Sequence, residues 1–171
     1  TGTFTGQVYT VTATPALAEY RMDEALWNGT ANETIDSGTG GFNGTAAGLV
    51  TLPTTSNTSP AIAGSPGTCR YGVFNRTNKD YIALPGGFPN LAAAAGDFTI
   101  TAWINVTDNT LPGQRIFIDD QSDSSPGSWG FSVGETTAFG AGGLRFYYRQ
   151  PTVYILDTVA IPSNQWLFVA L

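Results

Sequence analysis

The sequence predicts an all-β fold of antiparallel strands stacked in two sheets, and three observations predict it. Apolar and polar residues alternate in short runs bounded by Gly, Pro, Asn and Asp. Helix signals are nearly absent: the one Ala-rich run, residues 91–95, is too short to stand alone and is followed by Gly96. Charged residues make up only 12% of the 171-residue chain, about half the usual ~25%. The polar surface must therefore come from Thr, Ser, Asn and Gly. That is the composition of secreted and cell-surface β proteins rather than of a helical cytosolic enzyme rich in Glu, Lys and Arg.

The elements follow in order. Residues 4–12 alternate and end at Pro15, so residues 1–15 read as an N-terminal strand or linker. Residues 17–22 form the next expected strand. A turn-rich stretch over residues 23–68 is interrupted by a short strand near residues 45–50. Residues 71–75 and 81–84 predict a hairpin around Arg76-Thr77-Asn78-Lys79. Residues 98–104 give the clearest strand, with Phe98, Ile100, Ala102 and Ile104 on one face and Thr99, Thr101 and Trp103 on the other. Further strands are expected at residues 115–119, 129–133, 144–148, 153–157 and 166–171, with a Gly-rich connection at residues 140–143. About ten short strands at this spacing define a sandwich. The chain stops inside the apolar run Trp166-Leu167-Phe168-Val169-Ala170-Leu171, which implies that further sequence or another chain completes the sheet edge.

Charge and composition exclude several functions. A net charge of −6 with seven basic residues leaves no basic stripe for nucleic acid. No apolar run approaches the ~20 residues of a helical membrane span. The chain opens on Thr1 without an initiating Met, as expected of a mature or excised piece, and an extracellular location is expected. Cys69 is the only cysteine. It is either a small buried apolar residue or the half of a disulfide whose partner lies on another segment or chain.

Several motifs carry a resemblance. Tyr20-Arg21-Met22-Asp23-Glu24 is followed by Ile35-Asp36-Ser37-Gly38 and Phe42-Asn43-Gly44-Thr45. Tyr71-Gly72-Val73-Phe74 leads to Asp80-Tyr81-Ile82, and Phe98-Thr99-Ile100-Thr101-Ala102-Trp103-Ile104 precedes the final apolar run. In this order they resemble the laminin-G-like, concanavalin A-like sandwich family, over residues 16–171. Met22-Asp23-Glu24-Ala25-Leu26-Trp27-Asn28-Gly29-Thr30, Cys69-Arg70-Tyr71-Gly72 and Arg115-Ile116-Phe117-Ile118-Asp119-Asp120 are similar to the module of bacterial proteins of mannose-sensitive haemagglutinin pilus biogenesis. The resemblance implies a jelly roll whose last strands are missing here. It also implies calcium held by Asp36, Asn43 and Asp80, with Glu24 a weaker member. The alternative is that Asp36 forms an Asx-turn with the following amides and Asp80 caps its turn. Asn75-Arg76 departs from the family's usual Asp-Gly at the hairpin.

The chemistry is narrow. The chain has no His, which removes imidazole bases and His-dependent triads. One Cys excludes thiolate zinc sites. Gly38-Thr39-Gly40-Gly41 lacks the Lys and helix of a phosphate loop. Glu19, Glu24, Glu33 and Glu135 do not make the paired-Glu pattern of the fold's glycanases, and the adjacent Asp119 and Asp120 face opposite sides of a strand. The loop Asp119-Asp120-Gln121-Ser122-Asp123 is read as solvated rather than ion-binding. Six Asn-x-Ser/Thr sequons, at Asn28, Asn32, Asn43, Asn57, Asn75 and Asn105, exceed the number expected by chance. They mark either glycosylation or Asn-turn chemistry in a Thr-rich chain.

Aromatic residues remain as the binding candidates. Trp27, Trp129, Tyr147 and Tyr154 are candidate sugar-stacking residues, whereas Trp103 and Trp166 are expected in the core. Arg145, Tyr147 and Arg149 fall on one strand face. They form either an outward platform or a cross-strand cation–π ladder. Trp129, Tyr147 and Arg149 are the expected ligand-binding set. The expected function is a non-catalytic extracellular adhesion or ligand-binding module, pilus-associated or on a surface protein, that takes a glycan or a protein. The alternative is a filament subunit in which residues 3–12 add as a strand to a neighbouring copy or pilus subunit. A glycan hydrolase is the distant option.

Overall fold

The computed structural model describes residues 15–56, 70–89, 97–119, 128–137, 140–150 and 152–171. The expected strand over residues 3–12, the Ala-rich run, Cys69, Asn57 and the acidic loop after Asp119 lie outside the described residues. Ten strands and no helix occur among the described residues, and every pairing is antiparallel. The chain divides into two compact units, residues 1–87 and 88–171.

The first unit is built from short pairings and side-chain-capped turns. β1 (Thr45–Ala47) pairs with β4 (Tyr81–Ala83), and β2 (Thr54–Thr55) pairs with β3 (Gly72–Val73). The hairpin expected around residues 76–79 therefore does not form, because its two arms pair with different partners. Asn78 decides this. Its Oδ1 accepts the Val50 and Thr51 amides at 2.8 and 3.2 Å, its Nδ2 donates to the Thr51 carbonyl at 2.7 Å, and its side chain is buried. The turn is thus tied to the end of β1 and the chain crosses between two sheets. The strand expected at residues 17–22 reduces to a bridge between Tyr20 and Asp36. The carbonyls of Ala16, Leu17 and Glu19 are taken by the amides of Thr39, Gly40 and Ser37, and Met22 turns the backbone to φ 59°. Trp27 is buried here, with Phe74 at 6.0 Å between ring centroids.

Two of the sequons form turns in this unit. Asn28 Oδ1 accepts from the amide and hydroxyl of Thr30 at 2.9 and 2.5 Å, and Asn75 Oδ1 accepts from the Thr77 amide at 2.9 Å. In the second unit Asp108, which begins no sequon, makes the same pair of bonds to Thr110. At Asn28, Asn75 and Asp108 the Asx-turn closes on a Thr two residues on, and this turn chemistry supplies a structural use for the Asn-x-Thr spacing at Asn28 and Asn75.

The second unit holds a ribbon and a four-stranded sheet. The ribbon is β5 (Thr101–Asn105) with β10 (Trp166–Ala170), extended by mutual backbone bonds between Ile100 and Leu171. The sheet runs in the order β6 (Gln114–Asp119), β7 (Trp129–Thr137), β8 (Gly140–Gln150), β9 (Thr152–Ala160). β7 and β8 are longer than expected, since the Gly-rich stretch at residues 140–143 is strand rather than connection. The glycines absorb its irregularities: Gly134 and Gly142 sit at φ 83° and 87° beside the β7–β8 register shifts.

One face of this sheet carries the core. Phe117 stacks on Trp129 at 5.2 Å and 8°, and Phe88, Phe98 and Phe146 complete the cluster with centroid distances of 5.5 to 6.4 Å. Trp129 is only 1% exposed. The Phe98–Trp129 contact fastens the inner face of the ribbon, where Ala102 and Ile104 lie, onto the sheet. Each such aromatic pair adds about 0.5–1.5 kcal/mol beyond its area burial.

Candidate functional site

The strand alternation of β5 determines what the ribbon presents outward. Thr101, Trp103 and Asn105 are exposed, while Ala102 and Ile104 are half-buried. Antiparallel register places Trp103 directly opposite Phe168, with Thr101 opposite Ala170 and Asn105 opposite Trp166. The Trp103 and Phe168 rings lie 5.5 Å apart, and the two residues are 46% and 57% exposed. The expectation that Trp103 belongs to the core is therefore overturned. Its strand has one covered face, and the Phe98, Ile100, Ala102 and Ile104 side of the alternation occupies it. Trp166 is half-buried on the outward row. The result is an exposed pair of tilted rings flanked by a hydroxyl at Thr101 and a carboxamide at Asn105.

The residues expected to bind ligand are distributed differently. Trp129 is core, and its burial removes it from any ligand-contacting face. Tyr147 is on the opposite face of the sheet and is also buried, at 5% exposure. Gly130 explains how the ring fits: a Cβ there would meet the Tyr147 ring and hydroxyl at 2.7–2.8 Å, so only glycine lets the phenol lie down on the neighbouring strand. The Arg149 guanidinium sits 4.8 Å from the Tyr147 ring centroid, and that of Arg115 sits 5.5 Å from it. The cation–π arrangement is thus the one found, and the aromatic surface of Tyr147 is taken up by guanidiniums rather than offered to a sugar. Arg115 was not expected in this set. It reaches the ring through the register Arg115–Ser132–Arg145 across β6, β7 and β8, which local spacing does not reveal. Arg145 in turn forms a bidentate pair with Asp157 of β9, at 2.8 and 2.9 Å. Trp27, also a stacking candidate, is buried and donates its indole N–H to Glu24 at 3.1 Å. The Tyr154 side chain lies outside the described residues.

The expected metal ligands are brought together only in part. Asp36 and Asn43 meet, since the Asp36 amide donates to Asn43 Oδ1 at 2.9 Å. Asp80 does not join them. It lies beside Gly48, at the far end of β1, where its carboxylate accepts the Asn75 amide at 2.7 Å and the Asn78 Nδ2. The five residues of extended chain from Asn43 to Gly48 span about 16 Å. Asp36 itself is surrounded by donors. Its Oδ1 accepts the Glu19 and Gly38 amides at 2.8 and 2.7 Å, and its Oδ2 accepts the Phe42 amide at 2.8 Å. Burial raises its pKa, but the amides of Glu19, Phe42, Gly38 and Gly41 outweigh this and hold the carboxyl below the usual carboxylate range. Tyr20, whose hydroxyl donates to the Phe42 carbonyl at 2.5 Å, is pushed up to about 12 by burial and then by the Asp36 charge.

Calcium requires six to eight oxygens with their lone pairs directed at the ion. The Asp36 oxygens are directed at N–H groups, whose positive ends occupy the place a cation would take. These residues do not fit the calcium site that the resemblance implied. No group of three or more His, Cys, Asp and Glu suited to a metal occurs among the described residues. Glu24, the weaker member, accepts the Trp27 indole and the Ile35 amide.

Antiparallel strands, an aromatic core on one sheet face and the absence of helices among the described residues define an all-β sandwich module. Residues 76–171 match the Laminin G 3 family, described as the concanavalin A-like lectin/glucanases superfamily, and the chain belongs to that family. Comparison with curated proteins and with solved structures gave no match.

Proposed function

We propose that this chain is a non-catalytic, extracellular ligand-binding module that takes carbohydrate on the outward face of the β5–β10 ribbon. The observation that carries this reading is the exposed Trp103–Phe168 pair. Aromatic rings in this exposure offer a flat apolar surface to the C–H face of a sugar ring. Thr101 and Asn105, on the same row of side chains, supply a hydroxyl and an amide within one strand repeat for the sugar hydroxyls. Family membership supports the reading, since this superfamily includes lectins. Four carboxylates of the first unit support the non-catalytic part: Glu19 is paired with Arg21, Glu33 accepts the Asn28 and Gly29 amides, and Glu24 and Asp36 are held as above. A role in adhesion, including a pilus-associated one, belongs to this proposal on the strength of the motif resemblance alone.

The test is a neutral-glycan array probed with the chain and with Trp103→Ala and Phe168→Ala. Retention of a neutral sugar by the native chain, lost in both variants with the fold intact, supports the reading. Binding unchanged in both variants, or no binding by the native chain to any neutral sugar, refutes it.

A second reading, a subunit assembled by strand addition, has its own observation. β9 is the last strand of its sheet among the described residues, and Ile155, Leu156 and Val159 on it are 50–66% exposed. Concentration-dependent assembly abolished by Leu156→Lys would favour it; a monomer at every concentration would exclude it.

A further inference from the structure

Five of the six sequons lie within the described residues, and four of these have a place in the fold. Asn28 and Asn75 close turns on the amides of Thr30 and Thr77, both at 2.9 Å. Asn43 Oδ1 accepts the Asp36 amide at 2.9 Å, and the hydroxyl of its Thr45 accepts the Asn32 amide at 3.1 Å. Asn32 turns the backbone at φ 66°, and the Thr34 that completes its sequon is sealed at 0% exposure. Asn105-Val106-Thr107 differs. Asn105 and Thr107 are both exposed, and neither side chain makes a hydrogen bond among the described residues. Turn chemistry accounts for the spacing at Asn28 and Asn75 but not here. The backbone at this sequon is nonetheless held. Asn164 donates its amide to the Val106 carbonyl at 2.7 Å and its Nδ2 to the Thr107 carbonyl at 3.3 Å.

A second observation points the same way. Asn105 ends β5 on the outward row that carries Trp103, so the two Cα atoms are about 6.8 Å apart along the strand. The Trp103 ring is 46% exposed. A pyranose attached at Asn105 Nδ2 reaches that ring and can set its C–H face on it. We propose that Asn105 is an N-glycosylation site whose first sugar lies on Trp103 and so masks the Trp103–Phe168 pair. Asn105 Nδ2 attacks the anomeric carbon of a lipid-diphosphate-linked oligosaccharide, the donor of an oligosaccharyltransferase. The C–N bond forms, the C–O bond to diphosphate breaks, the lipid diphosphate leaves with the electron pair, and Nδ2 gives one proton to a base of the transferase. The masking rests on the extracellular carbohydrate-binding reading: a tethered sugar stands at a local concentration on the order of millimolar, which a free ligand must outcompete.

Secretion of the full chain from a eukaryotic cell line, followed by trypsin and peptide mass spectrometry, tests the attachment. The peptide over residues 80–115 contains Asn105 as its one sequon. It should carry a glycan mass in the native chain and in Thr107→Ser, and none in Thr107→Ala, which leaves Asn105 and both rings in place. An unmodified peptide 80–115 from the native chain overturns the proposal, as does a modification that survives in Thr107→Ala. The masking is read on the neutral-glycan array. The chain made without the transferase should bind, the glycosylated chain should lose that binding, and secreted Thr107→Ala should retain it. Equal binding by the glycosylated and unglycosylated chains overturns the placement of the sugar on Trp103. Peptide mass reports the attachment whatever the array finds, and the chain made without the transferase reports ligand binding by itself, so the two fail separately.

Discussion

Replacing Asp36 by Ala tests the account of the first unit most directly. The carboxylate closes the loop over residues 36–42 by accepting three backbone amides, from Glu19, Gly38 and Phe42, at 2.7–2.8 Å. Hydrogen bonds to a charged group contribute about 1.5–3 kcal/mol each, which sets an upper limit of several kcal/mol. Water reaches part of this loop in the variant and restores some bonding, so a loss of about 3 kcal/mol is expected. Asp36→Asn should cost nearly as much, because its NH2 would be turned toward an amide donor. Denaturant unfolding followed by far-UV circular dichroism measures the loss. The pH dependence carries the sign. The folded pKa of Asp36 is depressed, so its contribution is full above the ordinary carboxylate pKa and is lost as pH falls below that range toward the folded value. The native chain should lose stability across that acidic window more steeply than Asp36→Ala. A variant within about 0.5 kcal/mol of the native chain, the range of an ordinary surface substitution, would refute the reasoning, as would parallel pH profiles.

Other outcomes follow from the same geometry. Calcium or a chelator should leave the unfolding midpoint unchanged, since Asp36 and Asp80 are occupied by amide donors at separate ends of β1; a calcium-dependent rise would show a site assembled elsewhere. Gly130→Ala should cost about 1–3 kcal/mol through overlap of its Cβ with the Tyr147 ring, read by denaturant titration, and an unchanged midpoint would mean the ring has another resting place. Trp129→Ala should cost about 3–5 kcal/mol as a core truncation, whereas Trp103→Ala should cost far less, and equal losses would contradict the placement of the two rings. Asp157→Ala leaves Arg145, with a side chain only 22% exposed, without its bidentate partner; a loss of about 3 kcal/mol is expected, and a neutral result would mean that water or another residue takes over the guanidinium.

Much of this was legible in the sequence because strand parity is local. The two faces of residues 98–104 and the shared face of Arg145, Tyr147 and Arg149 follow from side chains alternating along any strand. The strand positions of β5, β6 and β10, and the poverty of helix, rest on the same local patterns and on composition. The Asx-turns at Asn28, Asp36 and Asn75 are equally local, requiring only an acceptor side chain and an amide two residues on.

Tertiary structure alone decided which of two faces is covered and which strands meet. Trp103 and Trp129 both sit in alternating apolar runs, yet one is exposed and the other is sealed under Phe98 and Phe117, because alternation separates two faces without saying which one another layer will cover. The residues over 71–75 and 81–84 look like a hairpin until Asn78 ties their turn to Val50 and Thr51. Arg115 meets Tyr147 only through cross-strand register spanning three strands. Pairing between distant segments is set by competition among many possible partners, and the energy that decides it resides in the packed sheet rather than in any short stretch of chain.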